Sequence, residues 1–199
     1  MPSQLNKLLI FSLVLIISGC DISLRKGNEH QWIFKSGTDE EIDINALNYH
    51  FESNLDSINY LVQLCHQEQS IQRVDIEETQ PTYNNIRIKK ALSKQTLERV
   101  KDTLNKIRAT DLFCWHNKKG KKVYLNVVSL VIFSEGLAIS GRSISYDLYL
   151  NSERNKQWNK TRVSLIERGH IPLAHKPWLV ADSRIIDNTT QKNTQRSKK

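Results

Sequence analysis

The sequence predicts an α+β fold, with two amphipathic helices packed on an antiparallel β-meander of about four to five strands. Two observations predict it. Apolar residues recur every three or four positions over 44–65 and again over 97–107, the period of a helix with one buried face. From Leu112 the period falls to two, that of a strand with one side in the core.

The first helix is expected to start at Thr38 or Asp39, either of which can cap it, with Glu40, Glu41 and Asp43 in its first turn. Ile44, Leu47, Phe51, Leu55, Ile58, Leu61/Val62 and Cys65 then mark one face of a single long helix ending near Gln67. Its many Asn and Ser residues weaken its intrinsic propensity, so it depends on packing. Alternation at Val74/Ile76 and at Ile86/Ile88 suggests two short extended segments around Pro81. Ser93 can cap a second helix buried through Leu97, Val100, Leu104 and Ile107.

Leu112–His116 reads as a strand and Asn117–Lys121 as a hairpin turn. Val123–Phe133 and Leu137–Leu150 read as two more strands joined by a tight turn at Ser134-Glu135-Gly136. Both slip phase, the first at Val127-Val128 and the second around Gly141. A hairpin centred on Glu135 sets Val127-Val128 opposite Arg142-Ser143, which predicts a shared bulge or bend there. Arg162–Glu167 and Trp178–Val180 complete the expected strands, and 182–199 reads as a disordered basic tail.

The chain has 199 residues and a net charge of +8, unevenly spread. Residues 21–80 hold 12 acidic and 4 basic residues, whereas 81–199 hold 24 basic and 9 acidic. Either the two halves screen one another, or a basic face meets anionic headgroups or an acidic partner protein. With 39% hydrophobic residues the chain can fill a core, which argues against wholesale disorder.

The amino-terminal segment is the most specific signal. Met1–Lys7 is polar with one positive charge, Leu8–Ile17 is apolar apart from Ser12, and Ser18-Gly19-Cys20 follows. About ten apolar residues are too few to span the roughly 30 Å of a bilayer core, and the layout is that of an export signal. Ile17-Ser18-Gly19-Cys20 resembles the lipobox of bacterial lipoproteins, with Ile where Leu is commoner. The resemblance covers residues 1–20 alone. It implies cleavage before Cys20, a diacylglycerol thioether on its sulfur and usually an acyl chain (such as palmitate) on its amino group. Multiple chains anchor stably where one does not. Asp21 resembles the signal that keeps such proteins in the inner membrane, so the expected location is its periplasmic face. The organisation is then signal peptide 1–19, lipidated Cys and tether 20–38, one domain 39–181 and tail 182–199. Nucleic acid is a poor partner for an exported chain.

With Cys20 assigned to lipid, Cys65 and Cys114 remain. In an oxidising compartment a spare pair reads as a disulfide. Two free thiols are one rival. Another is a zinc-like set of two sulfurs and two nitrogens from Cys65-His66 and Cys114-Trp115-His116.

No GxSxG elbow, HExxH or GxxxxGK[ST] loop occurs. His50 lies beside the first apolar stripe, and His170 and His175 flank Pro172. With Glu167 or Asp182 these last two make a conceivable base or metal site, although no spacing demands it. Lys118, Lys119, Lys121 and Lys122 cluster at a hairpin tip, either as solvated edge protection or as a contact for anionic lipid or an acidic partner. No catalytic, metal or cofactor residue is assigned. The expected class is a non-catalytic binding or accessory protein of the envelope. The alternatives are an inhibitor or immunity-type lipoprotein against an envelope-active toxin, and an enzyme with an unrecognised site.

Overall fold

A computed structural model describes residues 30–36, 40–83, 91–119, 122–135, 141–150 and 162–186. The signal segment, Cys20, Lys121 and residues 187–199 lie outside these residues, while the start of the expected tail is ordered, Asp182 ending a strand and 183–186 being helical. Two compact units are present, Met1–Leu47 and Asn48–Lys199. No described helix is long and apolar enough to cross a membrane.

In the first unit a 3-10 turn at Gln31–Ile33 leads into a bridge between Phe34 and Ile42. The amide of Asp43 donates to the Ile33 carbonyl at 2.8 Å, and Lys35 pairs with Glu41. Helix α1 (Ile44–Ser53) then begins. Its cap is Asp43, whose Oδ1 accepts from the amides of Asn45 and Ala46 at 3.0 and 3.1 Å. Asp43 was expected inside the first turn, and the expected caps Thr38 and Asp39 lie outside the described residues. A cap oxygen must sit just before the first unpaired amides, and here the bridge at Ile42 delays the helix until after Asp43.

The expected single long helix is two. Asn54 adopts φ −116° and ψ 13°, separating α1 from α2 (Leu55–Gln67). Its side-chain amide donates to the His50 carbonyl at 2.8 Å, the local competition with helical bonding that Asn is known for. The apolar stripe still crosses the break, since Leu47, Phe51, Ile58, Leu61, Leu64 and Cys65 are all buried.

Helix α3 (Lys94–Lys106) follows the sequence reading closely. Ser93 Oγ accepts from the Thr96 amide at 3.1 Å, and Leu97, Val100, Leu104 and Ile107 are buried. Its end is a Schellman motif, with the Ala109 amide on the Leu104 carbonyl and the Arg108 amide on the Asn105 carbonyl. The left-handed residue of that motif is Arg108 at φ 51°, a position where Gly carries no Cβ penalty.

Seven strands form one antiparallel sheet: β1 (Ile71–Asp75), β2 (Thr82–Tyr83), β3 (Asp111–Lys119), β4 (Lys122–Glu135), β5 (Arg142–Tyr149), β6 (Ile171–Pro172) and β7 (Leu179–Asp182). Their order is β2-β1-β3-β4-β5-β7-β6. The class is therefore the expected α+β, with more strands than the four to five anticipated, because β2 and β6 are two-residue edges too short to show a period. Residues 162–167, expected as a strand, are helical. Val163 and Ile166, three apart, are exposed, a helical spacing that alternation misreads.

Registered neighbours share a sheet face. One row runs Val74–Leu112–Leu130–Tyr146–Val180 across five strands, and all five residues are fully buried. Phe51 packs its ring edge-on to Tyr146 with centroids 5.2 Å apart and lies 5.1 Å from Trp178. The helices thus cover this face, and its partner face is the less buried one.

The expected bulge opposite Arg142-Ser143 is corrected. Glu135 pairs with Arg142, while Val127 and Val128 face Tyr149 and Leu148. Two separate irregularities do the work. Between β3 and β4 the register skips Asn126, which brings Leu125 and Val128 onto the core face. Between β4 and β5 it skips Ile132. Within the described part of β5 the phase holds through Arg142, Ile144, Tyr146 and Leu148, while Leu137 and Ile139 lie outside the described residues.

The strain at Arg108 is testable. Arg108→Gly relieves a left-handed non-glycine backbone, so urea denaturation is expected to show a gain of about 0.5–1 kcal/mol. A loss of stability would contradict the cap assignment.

Candidate functional site

The core-facing row leaves the opposite row, Arg73–Phe113–Ser129–Asp147–Leu179, on the second face of the sheet. Flanking it run Asp75–Asp111–Val131–Ser145–Ala181 and Trp115–Val127–Tyr149. Polar chemistry gathers here in two places.

On β5, Asp147 is buried, with Oδ1 accepting from Ser129 Oγ at 2.6 Å and from Ser145 Oγ at 2.8 Å. Tyr149 Oη lies 3.5 Å from Oδ2 and 3.2 Å from His170 Nε2. His170 Nδ1 is 3.1 Å from the Leu165 carbonyl. A carbonyl only accepts, so the ring carries a proton on Nδ1, while Nε2 faces the Tyr149 hydroxyl that donates to Asp147. Burial pushes the Asp147 carboxyl up, opposed by the two serines, His170 and Tyr149. Burial pushes His170 down, opposed mainly by the Asp147 charge. Both imidazole nitrogens are thus occupied by groups other than Ser129, whose proton goes to the carboxylate. Through His170 the network ties the segment after residue 162 to β5.

Near β1 the guanidinium of Arg73 gathers three acids. Nε donates to Asp111 Oδ1 at 2.7 Å, and the terminal nitrogens reach Asp75 at 2.6 Å and Glu78 at 3.4 Å. Burial works against its charge, but the Asp111 bond and the three carboxylates outweigh it and hold the guanidinium protonated. Arg73 also lies 5.5 Å over the Phe113 ring, which stacks on Trp115 at 5.9 Å and 8°. Trp115 is 46% exposed, an unusual state for so large a ring.

Of the residues singled out from sequence, Cys65 and Cys114 come together as a disulfide with Cα atoms 5.5 Å apart. The bridge joins the last turn of α2 to β3. The zinc-like set is thereby excluded: both sulfurs are used, His66 is exposed, and His116 Nε2 meets the Cys65 carbonyl at 2.9 Å. Lys118 is exposed, Lys119 and Lys122 form the last registered pair of the hairpin, and Lys121 lies outside the described residues. The strands run further than expected, so Asn117 to Lys119 belong to β3 rather than to a turn.

His170, His175, Glu167 and Asp182 do not converge. His170 serves the Asp147 network, and the His175 ring lies 5.6 Å from Phe51. Asp182 binds Arg142 in a fully enclosed pair, with a 2.6 Å contact. No group of three His, Cys, Asp or Glu side chains suited to a metal occurs among the described residues. Sequence reasoning missed Ser129, Ser145, Asp147 and Tyr149. The signal was the alternation Ser145-x-Asp147-x-Tyr149, the polar complement of the apolar phase in the same strand.

His50 joins the first helix to the sheet, with Nδ1 3.0 Å from Tyr146 Oη. Burial and then the Arg108 charge push its pKa down to about 4. His116 is pushed down as well, by burial first.

Two outcomes follow from these groups. A histidine whose folded pKa lies below 6.5 contributes stability above that pH and loses it as the pH falls toward the folded value. Asp147, shifted upward, works in the opposite sense. Urea midpoints are therefore expected to drop between neutral pH and about pH 4.5, and to drop less in His50→Gln; an equal drop would remove His50 from the account. Replacing both Cys65 and Cys114 by Ala opens a link between residues 49 apart. The chain-entropy model sets that loss at about 4 kcal/mol, readable in the same assay.

No protein-family model matches the chain, no curated protein matches it, and no solved structure matches it.

Proposed function

We propose that this chain is a non-catalytic binding or accessory protein of the cell envelope, held by lipid on Cys20 at the periplasmic face of the inner membrane, with the far end of the β3–β4 hairpin as its contact element. The carrying observation is the shape of that hairpin. Strand β1 accompanies β3 only at Phe113, Leu112 and Asp111, and β5 accompanies β4 only from Val127 to Glu135. The pairs His116–Leu125, Asn117–Tyr124, Lys118–Val123 and Lys119–Lys122 therefore extend as a two-stranded arm, with no further strand beside them among the described residues. Lysines at a projecting tip concentrate positive potential where a partner arrives first.

Two further observations support the reading. The Cys65–Cys114 bridge suits an oxidising compartment, and the Ile17-Ser18-Gly19-Cys20 run supplies an attachment point. The enclosed polar network around Asp147 serves packing, which favours binding over turnover.

Metabolic labelling with radioactive palmitate tests the anchor. The wild-type chain is expected to incorporate label and to sediment with membranes, and Cys20→Ser to do neither. An unlabelled product with an intact amino terminus would overturn the lipoprotein reading.

A further inference from the structure

We propose that the Trp115 face of the β3–β4 arm docks on an anionic bilayer surface; this deepens the reading above by naming the partner class of the arm.

The arm carries two kinds of group in sequence along its length. At its root, Trp115 is 46% exposed and registers with Val127, while Tyr124, two positions further along the same face, is half-buried. At its tip the registered pair Lys119–Lys122 holds the same face as Trp115 and Tyr124, whereas Lys118 alternates to the other face. Trp and Tyr are the residues that settle at the headgroup level, where the ring is apolar and its N–H or O–H stays wet. Lysines next to them attract anionic headgroups over a short range. The partner must offer negative charge beside an apolar layer within the length of the hairpin. A bilayer rich in anionic lipid offers both.

The other end of β3 gives the orientation. Asp75, Glu78 and Asp111 gather there around Arg73, and an anionic surface repels the excess of carboxylates. Asp111 and Lys119 are the two ends of β3, about 27 Å apart at the rise of a strand. That distance exceeds the roughly 8 Å screening length of physiological salt. The arm therefore meets the bilayer tip-first and inclined, with lysines among headgroups, Trp115 in the interface and the carboxylates held clear. Phe113 remains behind Trp115 as its backing ring, closed on its other side by Arg73.

The test mixes the purified mature protein with vesicles whose acyl chains carry bromine, a short-range quencher of indole fluorescence. Trp115 is isolated as the difference between wild type and Trp115→Phe. In equimolar phosphatidylcholine and phosphatidylglycerol this component is expected to be quenched; in phosphatidylcholine alone it is not. Neutralising Lys119 and Lys122 to Gln is expected to weaken partitioning about fivefold per lysine. A Trp115 component that is unquenched on the anionic vesicles, quenched equally on neutral ones, or shielded only by an envelope protein overturns the proposal. The comparison with neutral vesicles is independent of the anchor, because lipid on Cys20 inserts into both compositions. Loss of palmitate incorporation thus fails the anchor reading without deciding this one.

Discussion

One constraint organises the sheet: the row Val74–Leu112–Leu130–Tyr146–Val180 must stay in register, because a slip of one residue turns every member to the opposite face. All five are fully buried, and truncating a buried Leu to Ala alone costs about 2–5 kcal/mol. The skipped residues Asn126 and Ile132 make this register possible. Strand β4 is 14 residues long, and without the skip at Asn126 its part before Val127 would turn Leu125 outward.

The same register decides what the second face holds. Polar side chains that alternate with the core residues line up as Ser129 beside Asp147, with Asp111 and Ser145 on either side of Val131 in the next row. Where the segment after residue 162 covers this face, the polar groups are satisfied internally, down to the Nδ1 proton of His170. Where it remains open, aromatic rings stack and Arg73 closes the end of the stack. The contrast is between a polar network consumed by folding and a ring left half outside, and only the latter is free to meet another surface.

Helical faces were the most legible part of the chain, because their signals are local. Ser93 and the Leu97/Val100/Leu104 face required only periods and caps, and the cysteine pair required only a compartment argument. What depended on distant partners was read less well. The β4–β5 register is not legible in the sequence, because a tight turn centred on Glu135 and the observed pairing of Glu135 with Arg142 fit the same periods, and no period in either strand reports the length of the connection. The first helix was read as continuous because a stripe can cross a break such as Asn54 without losing its spacing. Of the candidate site, the lysine tip was visible as composition. The Asp147 network was not, since it exists only once β4, β5 and the segment around His170 are neighbours.

The disulfide has a consequence beyond stability. Cys114 directly precedes Trp115 in β3, and His116 on the other side of that ring binds the Cys65 carbonyl. The backbone on both sides of Trp115 is therefore fastened to the last turn of α2, at the place where β1 ceases to accompany β3. A free two-stranded ribbon is marginally stable in water and would have to be ordered on contact. Rooted this way, the arm holds its shape before it meets anything, and less side-chain and backbone freedom is lost on association. Covalent and hydrogen-bonded anchoring thus falls on the residues either side of the most exposed tryptophan described, which explains why a bridge expected merely to stabilise the domain sits at the base of its projecting hairpin.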